Sequence, residues 1–211
     1  MTREKNLIYN DEYYFLIASL IESIDKYANT ASVYGAFLKN LKKTARNNLI
    51  MKPAELIINE QDHKVFNADI NEVSEKVSGD ILYLDPPYNH RQYATNYHLL
   101  ETIAKYDNPK IYGKTGLRDY DKQKSLYCSR SQVKKTFKDL ILKASARYIF
   151  LSYNNEGLMT LDDIKEIMSL RGRYGNFTKE YSRFRADKSQ NRNYTADKTV
   201  EYLHYVVCNQ N

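Results

Sequence analysis

Residues 80–93 read DILYLDPPYNHRQY. An apolar-rich run, Ile81 to Leu84, leads into Asp85, two prolines and Tyr88. Near-continuous apolar character predicts a strand over Asp80–Leu84 that is covered on both faces. Pro86 and Pro87 then stop it, because proline donates no ladder hydrogen bond. A turn accounts for the prolines. It does not require the carboxylate before them or the aromatic ring after them.

Working outward, the chain alternates between strand and helix patterns. Asn6–Asn10 reads as a short strand ending at Asp11. Leu16, Leu20 and Ile24 repeat at helical spacing and predict a helix over Glu12–Ala28. A second helix is expected over Val33–Arg46 and another strand over His63–Ile70. Tyr93–Tyr106 reads as helical, and Asn108–Tyr127 as a long polar loop. Ser129–Ala146 is a helix, Arg147–Tyr153 a strand, and Thr160–Ser169 a helix opened by a Thr160/Asp163 capping box. Phe177–Phe184 and Glu201–Val207 alternate like two strands joined by a basic connection. The pattern implies one α/β domain over residues 1–211, with an open, mostly parallel sheet and a C-terminal β-hairpin.

In such sheets ligands bind where parallel strands end. Three predicted strands end in acids: Asn10-Asp11, Asn67-Ala68-Asp69 and Asp85-Pro86-Pro87-Tyr88. One such acid is an ordinary turn residue. Three in successive strands would line one crevice.

Composition narrows the function classes. A formal charge of +6 permits a polyanionic partner without proving one. Twenty tyrosines interleave with lysines and arginines, a mixture that suits base stacking and phosphate contact as well as ordinary half-buried surface. The two cysteines, Cys128 and Cys208, are far apart, which fits a reducing cytoplasm. Four histidines without paired spacing imply no metal site. No apolar run is long enough for a membrane span. Gly113-Lys114-Thr115 resembles the end of a phosphate loop, but the earlier glycine is missing, with Asn at position 108.

The D-P-P-Y tetrapeptide after an apolar strand resembles the catalytic motif of S-adenosylmethionine-dependent amino-methyltransferases. Asn89, Arg91, Gln92, Tyr93, Asn96, Tyr97, His98, Leu100 and Glu101, with the segment ASVYGAFLKNLKK (31–43), resemble the adenine-specific DNA methyltransferases of restriction–modification systems. The resemblance covers nearly the whole chain. It implies a Rossmann-like methyltransferase sheet, S-adenosylmethionine as cofactor and double-stranded DNA as partner, with the target adenine flipped out of the duplex. It also implies roles. Asp85, Pro86, Pro87 and Tyr88 would be catalytic, with two acceptors around the amine and a ring for stacking. Asp11 would hold the ribose hydroxyls of the cofactor, and Asp69 its adenine amine, with Ile70 packed on the ring. Asn89, Arg91, Tyr93 and Asn96 would line the substrate side. Arg183, Arg185, Lys188 and Arg192 would meet DNA from the 183–198 loop, alongside the loop at 108–130.

The family also carries a glycine-rich loop after its first strand, which lets backbone approach the methionine end of the cofactor. None of the seven glycines forms that motif near the N-terminus. The sequence therefore reads as a version lacking the first strand. Three readings stay open: part of a DNA adenine methyltransferase whose first strand is on another chain or lost, an inactive DNA-binding remnant, or an amino-methyltransferase acting on RNA.

Overall fold

A computed structural model describes residues 7–31, 33–182 and 198–209. In chain order the elements are α1 (Asn10–Tyr27), α2 (Ile70–Val73), β1 (Ser78–Leu84), α3 (Tyr93–Asn96), α4 (His98–Lys105), β2 (Ile111–Tyr112), β3 (Leu117–Arg118), α5 (Val133–Lys143), β4 (Ser145–Asn154), α6 (Leu161–Ser169), β5 (Gly172–Ser182) and β6 (Lys198–Cys208). They divide into two compact units, one of Met1–His63 with Tyr93–Gln123 and one of Lys64–Gln92 with Lys124–Asn211.

In the first unit, the apolar repeat of Leu16, Leu20 and Ile24 forms α1 as expected. The helix starts earlier than the periodicity suggests, because Glu12 reaches back to accept from the Tyr9 N–H at 2.7 Å. Residues 7–9 are not a strand, and Asp11 lies in the first helical turn rather than at a strand end. Two buried serines on α1 hold an extended segment: Ser23 Oγ accepts from Lys52 N and Ser19 Oγ from Ala54 N, both at 2.9 Å. The helix expected over Val33–Arg46 is absent apart from a single 3-10 turn, Thr44–Arg46. Its backbone donors have tertiary partners instead: Tyr34 N donates to Asn96 O, and Lys42 N to Asn29 Oδ1. The polar stretch Asn108–Tyr127 is more ordered than a plain loop. β2 and β3 form a small antiparallel hairpin whose turn uses Gly113 and Gly116 at φ 66° and 67°. Arg118, buried at its base, is paired with Asp107.

In the second unit the sheet order is β1-β4-β6-β5. β1 runs parallel to β4, while β4/β6 and β6/β5 are antiparallel. The sheet is thus mixed, not mostly parallel, since β6 of the C-terminal hairpin inserts between β4 and β5. One face is covered: Ile149, Leu151 and Val206 pack with Phe137, Leu140 and Ile141 of α5 and Ile164 and Met168 of α6, all nearly solvent-free. The capping box that opens α6 is present, with Thr160 Oγ1 accepting from Asp163 N at 3.1 Å. β1 departs from its reading as a strand buried on both faces. It pairs only with β4 among the described residues, and Ile81 and Tyr83 are 64% and 60% exposed. The strand expected over His63–Ile70 is missing, because no backbone among the described residues pairs with it; Val65 is 94% exposed. Its last two residues instead begin α2, with Asp69 as N-cap.

His204 is fully buried on the core side of β6. Its Nδ1 meets the Tyr174 hydroxyl at 2.8 Å, whereas its Nε2 has no partner. Burial lowers its pKa from 6.5 to about 4. A depressed folded-state pKa contributes stability that is whole above about 6.5 and is lost as the pH falls toward 4. Urea unfolding across this window is expected to show a decline of up to about 3 kcal/mol from this group. The His204→Gln variant should show a shallower slope there, and a slope equal to the parent's would rule out His204 as its source.

Candidate active site

The turn that ends β1 is fastened by residues distant in sequence. Leu84, the last residue of the strand, is buried, and Asp85 emerges exposed beyond it. From the β4–α6 connection, Leu158 N donates to Tyr88 O at 2.8 Å. The Tyr153 hydroxyl donates to the same carbonyl at 3.3 Å. The Tyr153 oxygen in turn accepts from the buried Met159 N at 3.3 Å. The two tyrosine rings meet edge to face, 6.4 Å apart at 81°. Burial raises the Tyr153 pKa, so its hydroxyl stays a proton donor. Tyr88 itself remains 38% exposed.

Gly157 makes this arrangement possible. A Cβ built there would lie 2.1 Å from Tyr153 Cε1, well inside contact distance. The loop is also tied to β6, with Asn155 N donating to Val200 O and Val200 N to Asn155 Oδ1.

Beyond Tyr88, Asn89 Oδ1 accepts from Arg91 N at 2.9 Å, closing a side-chain turn. Gln92 is doubly bonded to Ser125: its Nε2 donates to Ser125 O at 3.1 Å, and its Oε1 accepts from Ser125 N at 2.8 Å. Cys128 Sγ donates to Arg91 O at 3.4 Å. Burial pushes the Cys128 thiol pKa up. Residues 88–92 are therefore positioned by 125–128 and 153–159, both distant in sequence.

Asp69 is exposed and caps α2, with Oδ1 accepting from Asn71 N at 2.8 Å. Asn71 anchors that short helix. Its Nδ2 donates to Thr136 O and Asp139 Oδ2, both at 2.9 Å, and its Oδ1 accepts from the Tyr127 hydroxyl. Ile70 follows Asp69 and is 37% exposed. Asp69, Ile70, Asp85–Tyr88, Asn89 and Arg91 all belong to the second unit, while Asp11, Tyr93 and Asn96 belong to the first. Of the three acids expected at strand ends, only Asp85 follows a strand among the described residues. Arg183, Arg185, Lys188 and Arg192 lie outside the described residues.

Sequence reasoning singled out the turn but missed its supports. Tyr153 falls in Ser152–Asn155, a strand end whose sequence reading is as lining for the substrate side rather than as a support of the turn, and Leu158 reads as an ordinary loop residue. The Gly157 position carried the one available signal, a glycine three residues after a strand end.

In the first unit, α3 and the start of α4 are equally fixed. Tyr34 N donates to Asn96 O at 2.7 Å, and a Cβ at Gly35 would lie 3.2 Å from Thr95 O. His98, 1% exposed, places Nδ1 at 2.9 Å from Thr95 O and Nε2 at 2.8 Å from Thr115 O. The segment ASVYGAFLKNLKK thus touches the helix that follows D-P-P-Y.

The acid-proline-proline-tyrosine turn thus stands at the end of β1, the strand parallel to β4. Residues 1–167 match the D12 class N6 adenine-specific DNA methyltransferase family, and the chain belongs to it. It is 56% identical to the type II methyltransferase M.NlaIII of Neisseria lactamica over 202 residues, covering 95% of this chain and 60% of the relative. It is 42% identical to M.FokI of Planomicrobium okeanokoites, over 97% of this chain and 31% of the relative. Similarity to M.CviAII of Paramecium bursaria Chlorella virus 1 is 37%, over 99% of this chain and 61% of the relative. The chain therefore spans less than two thirds of the length of each of these relatives. No solved structure matches it. No helix among the described residues is long and apolar enough to cross a membrane.

The support for Tyr88 is testable by stability. Tyr153→Phe removes one donor and leaves the buried Met159 N–H without its acceptor. Urea unfolding should show a loss of about 1–3 kcal/mol. Gly157→Ala should cost at least as much, because its methyl group must expel the Tyr153 ring. A Tyr153→Phe protein as stable as the parent would show that these bonds do not hold the turn.

Proposed function

We propose that this chain carries the acceptor side of a site that transfers a methyl group from S-adenosylmethionine to the N6 amine of adenine in double-stranded DNA. The observation that carries the reading is the Asp85–Tyr88 turn at the end of β1, held at the Tyr88 carbonyl by Leu158 and Tyr153. An aryl amine is a poor nucleophile, since its lone pair is delocalised into the ring. A carboxylate at Asp85 and the carbonyl of Pro86 accept its two N–H bonds and favour a pyramidal nitrogen. Two consecutive prolines fix φ and keep these acceptors in place. Tyr88, partly exposed and backed by Tyr153, offers a face on which a flipped base stacks. The family description names DNA, which favours DNA over RNA as the acceptor.

The described residues fit an adenosine group chemically. Asp69 spends one oxygen on capping α2 and keeps acceptor capacity on the other for an amine, while Ile70 presents apolar surface beside it. Asp11 supplies an exposed carboxylate suited to hydroxyl groups. The bound cofactor supplies a sulfonium methyl, which needs no metal or protein nucleophile. Within a Rossmann-like arrangement, the edge of β1 that no strand among the described residues pairs is the place for a further parallel strand bearing the glycine loop, on a contiguous or a separate segment. Transfer by the 211 residues alone is then weak or absent. Asn89, Arg91, Tyr93 and Asn96 are assigned to the substrate side, and Arg183, Arg185, Lys188 and Arg192 to the phosphates.

The test is tritiated-methyl transfer to adenine-containing duplex DNA, with the chain alone and with a segment that supplies the glycine loop. In the active combination, Asp85→Ala should lower turnover by about a hundredfold or more while DNA affinity is retained. Turnover within tenfold of the parent would remove Asp85 from the chemistry.

A further inference from the structure

Tyr93, Tyr97 and Glu101 follow one another at four-residue spacing and lie along one helical face. The spacing survives the break between α3 and α4, because Tyr97 N donates to Tyr93 O at 2.9 Å and Glu101 N to Tyr97 O at 3.1 Å. With Ala94 and Gln123, these three side chains line a cleft of about 310 Å³ within the first unit. The two rings stand nearly perpendicular, 5.8 Å apart at 74°, yet are 53% and 41% exposed. The polar end is built from Glu101. Its Oε1 accepts from Gln123 Nε2 at 2.9 Å and pairs with Lys105 Nζ at 2.6 Å. Both contacts fall on Oε1, so Oε2 keeps its acceptor capacity. The Lys105 hydrogen bond is the main cause holding the Glu101 pKa below the ordinary carboxylate value.

The walls are stiffly backed. His98, one residue beyond Tyr97, is buried against two carbonyls, and Tyr34 with Gly35 packs onto Thr95 and Asn96. A preformed concave site with aromatic walls and a few fixed polar groups is the form taken by small aromatic ligand sites. Ordinary exposed tyrosines on a helix need neither the concavity nor the fixed carboxylate.

We propose that this cleft is a second base site, which takes an unpaired nucleobase bearing an exocyclic amine, cytosine or adenine, from the bound DNA. The base stacks on Tyr97 or Tyr93 and donates an amine hydrogen to Glu101, the pairing by which carboxylates select amine-bearing bases. Thymine presents a carbonyl at that position and is disfavoured by the carboxylate. The proposal rests on the reading that the chain acts on DNA, and its cleft shares Tyr93 with the residues assigned to the substrate side but none of Asp85–Tyr88.

The experiment uses the full chain and fluorescence anisotropy with labelled single-stranded oligomers of dC, dA and dT, an abasic oligomer, and a mixed-sequence duplex. The parent is expected to prefer dC or dA over dT and to bind the abasic oligomer least. Tyr97→Ala should weaken dC and dA binding about tenfold or more, and Tyr97→Phe should retain it. Glu101→Gln should erase the preference over dT, weakening dC and dA binding and relieving the repulsion of the thymine carbonyl. Thermal melts report whether each variant is folded, and the exposed Tyr97 position makes Tyr97→Phe the conservative reference. Equal binding of dC, dA and dT by the parent, or unchanged affinity in folded Tyr97→Ala, overturns the base site while leaving the functional reading in place. Failure of the parent to bind the duplex as well as every oligomer overturns both.

Discussion

The pairing of β4 on both its edges is the constraint on which the second unit depends. One edge holds β1 in parallel register, with Leu84 opposite Leu151. The other holds β6 antiparallel, with His204 opposite Leu151. The same strand contributes Ile149, Leu151 and Tyr153 to the core beneath α5 and α6. At its far end Tyr153, while paired with Tyr202 of β6, also serves as a hydrogen-bonding post for Tyr88. Sheet register and placement of the turn are therefore one problem. A one-residue slip of β1 against β4 would move Asp85 along the strand and turn Leu84 out of the core.

The polar supports of the site share a logic. The turn and the residues after it meet protein through uncharged groups: Tyr88 O through Leu158 and Tyr153, Arg91 O through Cys128, and the Gln92 side chain through Ser125. These partners use little charge. The carboxylates Asp85 and Asp69 are left exposed, where a ligand can reach them. A binding site organised this way keeps its shape in apolar and neutral contacts and reserves its charge for the ligand.

Much of this was legible in the sequence where a local rule decided the outcome. α1, α5 and α6 follow apolar spacing, and the Thr160/Asp163 box marks the start of α6 directly. β4 and the β5/β6 hairpin follow from alternation, and D-P-P-Y marks the turn. Reading failed where the outcome depends on distant backbone. Val33–Arg46 has helical spacing, yet Tyr34 and Lys42 give their N–H groups to Asn96 and Asn29. His63–Ile70 has strand composition, but a strand exists only with a neighbour, and none pairs with it among the described residues. The fasteners of the turn lie at 125–128 and 153–159, a separation that no local pattern encodes.

Cys128 gives the turn a built-in chemical clock. Its sulfur is buried against Arg91 O, and burial raises its pKa, so both access and thiolate fraction oppose alkylation. A reagent such as iodoacetamide reaches it only when the 125–128 segment lifts away from residues 91–92. The rate of that labelling then measures how often the turn after the proline pair opens in the folded protein. A ligand that grips the turn would slow the clock without touching the cysteine.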